Sequence, residues 1–268
     1  MPLFLLIDAG NSRVKWQVCQ KQSQGGFDVI TTDVVATEQL LLPNQPIDWF
    51  RELSSKYPTI QHVVVASVLG LDWLQGLRHA VGSVPLLVPR VQACSVLSCP
   101  YYHNQQLGID RWLGCLALAT ESTFAVNLMV SFGTATTVDA VVQSSLVQQT
   151  ASRFVHLGGF IAPGVDLMMR SLSSATQQLP QFEFQAQDQA IWPTSTRQAI
   201  CMGVQLAQQS VLENAIRLLH LQWPNEQVVV WVAGGAYSWF NLESLGCQVI
   251  LIPNAVFKGL QQCLNLNL

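Results

Sequence analysis

Residues 3–19 read LFLLIDAGNSRVKWQVC, and this stretch decides the fold. The runs Leu3–Ile7 and Val14–Cys19 each have the length and composition of a β-strand. The residues between them include a glycine and an asparagine, which tolerate positive φ and reverse a chain at little cost. The stretch therefore predicts a β-hairpin. A plain turn has no need of the Asp8 carboxylate or of the cations Arg13 and Lys15, so these side chains indicate a second role.

A related pattern begins at residue 127 and reads NLMVSFGTATTVDAVV. When the two stretches are aligned on Gly10 and Gly133, strand falls on strand and Asp8 falls on Ser131. This internal duplication predicts two similar mixed α/β domains, over residues 1–114 and 115–268, with a cleft between them. Ligands favour such clefts.

The 268 residues are half apolar and only 11% charged, with a net charge of −3. The chain is therefore expected to be globular, and it lacks the positive charge on which nucleic-acid binding normally depends. Its N-terminal apolar run is too short for a signal peptide or a membrane span, which predicts a cytoplasmic protein with no membrane partner. Seven cysteines without a CxxC pair indicate reduced, mostly buried thiols, and five histidines without HExxH argue against a protein-held catalytic metal.

Apolar periodicity predicts further elements on both sides of the second hairpin. Val63–Val68 and Val228–Ala233 have the continuous β-branched pattern of buried strands. A helix is predicted to begin after Gly108, and a long amphipathic helix is predicted over Thr196–Leu221. The stretch Gln177–Pro193 is rich in proline and glutamine and predicts a loop.

The two glycine turns are candidates for phosphate binding. A glycine turn lets backbone N–H groups approach an anion without a Cβ in the way, and two such turns across a cleft could hold the β- and γ-phosphates of a nucleotide. Asp8 would repel phosphate unless Mg²⁺ lay between them, so Asp8 is interpreted as a ligand of Mg²⁺, through water. Each turn taken alone could also be only a turn.

Two other features leave alternatives open. Asp110 could be the base of a phosphoryl transfer, or it could form a helix-start charge pair with a solvated Arg111. Gly234-Gly235 could form the wall of an adenine pocket, although a strand-to-helix turn is the favoured interpretation.

Four motifs in order, DAGNSRVK (8–15), LGIDRW (107–112), GTATT (133–137) and HLGGFIAPG (156–164), resemble the type III pantothenate kinases. The order and spacing agree from residue 3 to about residue 259. The resemblance implies two ribonuclease H-like (actin-like) domains, as in actin, hexokinase and Hsp70. It also implies ATP-dependent phosphorylation of pantothenate to 4′-phosphopantothenate, the first step of coenzyme A synthesis, with ATP and Mg²⁺ as cofactors, in a homodimer.

The resemblance also implies roles for individual residues. Asp110 becomes the catalytic base, and Gly133 and Thr134 form the second phosphate turn. Thr176 contacts pantothenate from the neighbouring subunit, with Ser173 and Ser174 as alternatives. The first phosphate loop comprises Asp8, Ala9, Gly10, Asn11, Ser12, Arg13, Val14 and Lys15. The pantothenate pocket comprises Tyr101, Gly108, Ile109, Asp110 and Arg111.

The sequence departs from the family pattern at Ser131. The family has an aspartate at this position, two residues before the GTAT glycine, as a ligand for K⁺ or NH₄⁺. A serine there predicts little or no dependence on a monovalent cation. Two other functions remain open at this point: a catalytically degenerate relative with a regulatory role, and another sugar kinase or phosphatase of the superfamily.

Overall fold

The computed structural model describes residues 2–23, 25–41, 45–99, 106–147, 151–175 and 192–268. Contacts within the chain divide it into two compact units, Met1–Thr120 with Ala255–Leu268, and Glu121–Asn254. None of the helices in the described ranges is long and apolar enough to cross a membrane.

The first unit is built on a five-stranded mixed sheet of order β3-β2-β1-β4-β5. Strand β1 is antiparallel to β2 and parallel to β4, as the predicted hairpin and the β-branched run require. The strands are β1 (Leu3–Ala9), β2 (Arg13–Lys21), β3 (Phe27–Ala36), β4 (Ile60–Ser67) and β5 (Leu86–Leu87), followed by a short β6 (Leu97–Ser98). The helices are α1 (Gln45–Lys56), α2 (Leu71–Val81), α3 (Ile109–Glu121) and the C-terminal α6 (Ala255–Leu266).

The second unit repeats this connectivity. Its strands have the order β11-β10-β7-β8-β9, with β7 antiparallel to β8 and parallel to β10. They are β7 (Val126–Phe132), β8 (Ala135–Gln143), β9 (Phe154–Pro163), β10 (Val228–Gly234) and β11 (Gln248–Leu251), with helices α4 (Val165–Ala175) and α5 (Thr196–Gln222). The mixed sheets confirm the predicted class, and the matching strand order supports the predicted duplication.

The two hairpins differ by one residue in the turn. Ala9 pairs with Val14 in the first hairpin, whereas Phe132 pairs with Thr136 in the second. The sequence alignment therefore holds up to Gly10 and Gly133 and slips by one residue beyond them. As a result Asp8 faces Lys15 across the first hairpin, while Ser131 faces Thr137 across the second.

The compact units differ from the predicted division at residue 114. Helix α3 stays with the first unit to Thr120, and the chain returns to that unit at Ala255. The reason is that α6 packs on β1 and β4 and closely on α3, where a Cβ on Gly259 would lie only 2.3 Å from the carbonyl oxygen of Leu113. Helix α3 is buried without interruption from Arg111 to Ala119, and α6 supplies part of that cover.

We expect Gly259→Ala to lower the free energy of unfolding by about 1–3 kcal/mol, because the new methyl group overlaps backbone that cannot rotate away. The matched control is Gly203→Ala in α5, where a Cβ meets no atom within 4 Å. That change should stabilise by about 0.5–1 kcal/mol through helix propensity. Urea unfolding of both variants measures the difference, and equal effects would contradict the close α3–α6 packing.

Candidate functional site

Two hydrogen bonds from Thr37 fix the conformation of the first glycine turn. The Gly10 amide donates to the Arg13 carbonyl at 3.0 Å and closes the turn. The hydroxyl of Thr37 donates to the carbonyl of Gly10 at 2.7 Å, and its backbone N–H donates to the carbonyl of Ser12 at 3.1 Å. Thr37 is buried, whereas Asn11, Ser12 and Arg13 are exposed. The sequence motif did not identify Thr37, which begins the 3₁₀-helix Thr37–Leu40 directly after β3 and lies outside every quoted motif.

The eight residues of the first loop do not all present side chains at the surface. Ala9 and Val14 are buried in the apolar core of the first unit. Any contact of these two residues with phosphate would be made by backbone. The exposed side chains are those of Asn11, Ser12, Arg13 and Lys15.

Asp8 is the half-buried penultimate residue of β1, and the preceding residues Leu5, Leu6 and Ile7 are completely buried. Burial raises the pKa of its carboxyl group to about 6, against an opposing effect of Lys15 and with a further increase from the charge of Asp110. The charge of Asp110 therefore acts on the carboxyl group of Asp8. Asp8 and Asp110 are 102 positions apart in the printed sequence, and the fold of this unit brings them together.

Asp110 is an exposed residue in the first turn of α3. The Trp112 N–H donates to the carbonyl of Gly108 at 3.1 Å, which starts the helix. A Cβ on Gly108 would lie 2.6 Å from Oδ1 of Asp110, so the glycine leaves room for this carboxylate. Arg111 is 7% exposed, and the alternative in which it is a solvated surface charge is therefore wrong.

The carboxylate pair suits a divalent cation. A carboxyl group with its pKa raised by burial and by a neighbouring negative charge gains most when a cation offsets both effects. Oxygen ligands of this kind are the ones Mg²⁺ prefers, usually with part of its water shell retained. Asp8 thus fits the Mg²⁺ that the first glycine turn was predicted to require, and the charge of Asp110 adds to the attraction for a cation.

The second glycine turn is packed between two other glycine backbones. The Gly133 N–H donates to the Ala135 carbonyl at 3.1 Å, and the Gly164 N–H donates to the Thr134 carbonyl at 2.9 Å. A Cβ on Gly164 would lie 2.3 Å from the Gly133 oxygen, and one on Gly234 would lie 2.1 Å from the Phe132 oxygen. Gly133 and Thr134 remain exposed. One face of the turn is therefore exposed to solvent, and on the other face its carbonyl groups pack against the backbone of Gly164.

Gly234 closes β10 with φ of +93°, and a 3₁₀-helix, Ala236–Trp239, follows Gly235. This geometry favours the interpretation of Gly234-Gly235 as a strand-to-helix turn. It also explains the glycine at 234, because both its positive φ and its contact with Phe132 exclude a side chain.

The remaining predicted substrate residues divide into two groups. Tyr101 and Thr176 lie outside the described residues, as does most of the predicted loop 177–193. Ser173 and Ser174 lie on α4, and each hydroxyl donates to a backbone carbonyl of its own helix, Arg170 at 3.0 Å and Ser171 at 3.2 Å. Ile109 and Gly108 are partly exposed beside Asp110.

The raised pKa of Asp8 predicts a pH-dependent cost in stability. The ordinary pKa is 3.8 and the folded value is about 6, so the native state binds the proton more tightly than the unfolded chain. As pH rises from about 4 to above 6, ionisation of Asp8 therefore lowers the free energy of unfolding by up to about 3 kcal/mol.

We accordingly expect Asp8→Asn to raise the melting temperature of the metal-free protein at pH 8 and to change it little near pH 4. The exposed Glu52 of α1 provides the control Glu52→Gln, which should show no such pH dependence. Thermal unfolding across this pH range checks the prediction, and a gain from Asp8→Asn that is the same at both ends would contradict it.

Comparison with known proteins places the chain in a family. The sequence profile of the type III pantothenate kinase family matches residues 4–218. The type III pantothenate kinase of Aromatoleum aromaticum is 32% identical over 263 residues, covering 96% of each chain. That of Paraburkholderia phymatum is 31% identical over 284 residues, covering 96% of this chain and 92% of the relative.

Two solved structures are similar in fold. The glucokinase of an Antarctic psychrotroph has a TM-score of 0.51 at 9% identity, with 99% of each chain covered. The inorganic polyphosphate/ATP-glucomannokinase of Arthrobacter sp. strain KM has a TM-score of 0.50 at 12% identity, with 100% of each chain covered. At these identities the likeness concerns the fold alone, and it confirms the actin-like class. The chain belongs to the type III pantothenate kinase family.

Proposed function

We propose that the protein transfers the γ-phosphoryl group of ATP to the primary hydroxyl of pantothenate, giving 4′-phosphopantothenate for coenzyme A synthesis. Family membership across most of the chain carries this proposal. The effect of the Asp110 charge on Asp8 supports it, because phosphoryl transfer to an alcohol needs a cation for the phosphates and a base for the hydroxyl proton in the same site.

Each predicted site residue has a part in the proposed reaction. The exposed backbone and hydroxyl groups of the turns at Gly10–Arg13 and Gly133–Thr134 donate to phosphate oxygens, and Arg13 and Lys15 offset their negative charge. Asp8 would hold Mg²⁺, through water. The ion would neutralise charge that develops on the phosphates.

Asp110 accepts the proton of the pantothenate hydroxyl as the new P–O bond forms. Its place at the start of α3, with room made by Gly108, leaves the carboxylate accessible to an acceptor. Gly108, Ile109, Arg111 and Tyr101 contribute to the pantothenate pocket. Thr176 of a second copy completes it, which makes the homodimer the proposed active form, and the cytoplasm its proposed location.

A regulatory relative without activity is less well supported than the kinase. Such a protein has no need for a carboxylate whose pKa is raised at a cost in stability, and Asp8 is one. A hexose kinase of the same fold is distinguished by its acceptor. The deciding experiment incubates the purified protein with Mg-ATP and either pantothenate or hexoses, and detects the phosphorylated product by mass spectrometry. Absence of 4′-phosphopantothenate from a folded, ATP-binding preparation would refute the proposal.

Asp110→Asn should lower kcat by about 10²–10⁴, the usual contribution of a positioned base, because the change keeps the side-chain volume and removes the proton acceptor. ATP affinity should stay within about threefold, since the base does not bind phosphate. Steady-state kinetics and ATP titration measure both effects. The exposed Asp166 in the first turn of α4 supplies the control Asp166→Asn, for which kcat should be unchanged. A decrease in kcat of less than about tenfold in Asp110→Asn would show that Asp110 is a charge at the start of the helix and not the base.

Ser131 should leave the enzyme with little response to K⁺ or NH₄⁺. A weakly held, desolvated cation needs a full negative charge to offset its lost hydration, and a hydroxyl offers only a dipole. Rates in Na⁺ or Tris buffer should therefore change by less than about twofold on adding K⁺. Ser131→Asp should create the dependence. Activation of the unmodified protein by about tenfold or more would show that a cation site survives without the carboxylate.

A further inference from the structure

The side-chain amide of Gln208 lies behind the second glycine turn, outside every motif of the sequence. Gln208 is on α5 and is 1% exposed. Its Nε2 atom donates to the carbonyl oxygen of Pro163 at 2.6 Å and contacts the Sδ atom of Met168 at 3.0 Å. The side chain thus ties α5 to the last residue of β9 and to the first turns of α4.

Pro163 and Gly164 are in turn packed on the second glycine turn. Pro163 is the strand partner of Ala135, and the Gly164 N–H donates to the Thr134 carbonyl at 2.9 Å. The space where a Cβ of Gly164 would lie is already filled by the carbonyl groups of Gly133 and Thr134. Because closely packed interiors transmit displacements, a shift of Pro163 must move Thr134.

The amide of Gln208 acts through its N–H group. Within the described residues, its Oε1 atom is buried and has no hydrogen-bond partner. An unsatisfied buried acceptor lowers stability, and an apolar side chain of similar length would avoid that loss. Rotating the amide by half a turn would place Oε1 against the Pro163 oxygen, which is repulsive. The orientation is therefore fixed by the hydrogen bond to Pro163.

We propose that Gln208 is a positioning residue for nucleotide binding. Its hydrogen bond fixes the Pro163–Gly164 backbone, which fixes the Gly133–Thr134 turn in the conformation that receives phosphate. The inference rests on the proposed function, in which this turn contacts the nucleotide. Loss of the N–H group should weaken binding of nucleotide and leave the KM for pantothenate unchanged.

The first test replaces Gln208 by methionine, which keeps the length of the side chain and removes the donor. We expect the Kd for Mg-ADP, measured by calorimetry, to rise by about tenfold or more, with the KM for pantothenate within about twofold. The control is Asn127→Leu. Asn127 is a buried amide at the opposite end of β7, bonded to Trp231 and Phe124.

Asn127→Leu should lower the melting temperature and leave the Kd for Mg-ADP within about twofold of the unmodified protein. An unchanged Kd in Gln208→Met, or an equal loss of affinity in Asn127→Leu, would overturn the proposal. Failure of the unmodified protein to bind Mg-ADP would instead refute the proposed function, so the two failures are distinguishable.

The second test uses Gln208→Glu, because the introduced carboxyl can donate to the Pro163 carbonyl only while it is protonated. Burial and the adjacent carbonyl oxygen both raise the pKa of such a group. The ratio of the variant Kd to the unmodified Kd should therefore be near one at about pH 5.5 and rise about tenfold or more by about pH 8.5. Taking the ratio removes the titration of Asp8. A ratio that is constant across this range would overturn the proposal, because the hydrogen bond to Pro163 would then have no influence on nucleotide affinity.

Discussion

The half-buried Asp8 carboxylate, next to the end of the central strand β1, is the constraint on which the candidate site of the first unit depends. Leu5, Leu6 and Ile7 are inaccessible to solvent because helices cover the central strand β1: Leu5 and Ile7 share a core with residues of α1 and α2, and α6 also packs on β1. The next residue is a carboxylate whose pKa this environment raises to about 6. Lys15, opposite it across the hairpin, offsets only part of that effect. A partly uncompensated charge is unfavourable in the free protein and favourable for binding a cation, so the role proposed for Asp8 would come at a cost in stability.

The duplicated units use one backbone plan for different chemistry. Both place a hairpin turn after a central buried strand. In the first hairpin the carboxylate of Asp8 and the cation of Lys15 face each other next to the turn. In the second hairpin the corresponding pair is two hydroxyl residues, Ser131 and Thr137. The second turn is also one residue shorter and is packed on the glycine backbones at 164 and 234. Charge therefore characterises the first turn, and tightly fixed backbone characterises the second.

Apolar periodicity predicted the elements that lie in the core. The strands around Leu3–Ile7, Val63–Val68 and Val228–Ala233 and the helix of residues 196–221 are all found, because burial leaves a continuous or periodic apolar pattern. Strand β3 was not predicted. It is the edge strand of its sheet, and most of its residues, such as Asp33 and Val34, are exposed on both faces. The strand therefore has no alternating apolar pattern to identify it. The return of α6 to the first unit was also missed, since it depends on the contact of Gly259 with a helix far away in sequence.

The candidate site was predictable only where its residues lie in the turns themselves. Asp8, Gly10, Asp110 and Gly133 could be identified because each breaks the apolar pattern at the end of a strand or the start of a helix. Thr37 and Gln208 could not, because each acts through a hydrogen bond to a backbone carbonyl that no pattern of residue types encodes. Both are buried polar residues in otherwise unremarkable segments, and both bond to the chain directly behind a glycine turn. Glycine lets the backbone of these turns approach an anion closely, but it also makes the backbone flexible. That flexibility must be restricted if the N–H groups are to point at one position. A buried side chain that hydrogen-bonds to a carbonyl group in the turn or behind it restricts the backbone in this way. It leaves the face of the turn that would meet the ligand unobstructed.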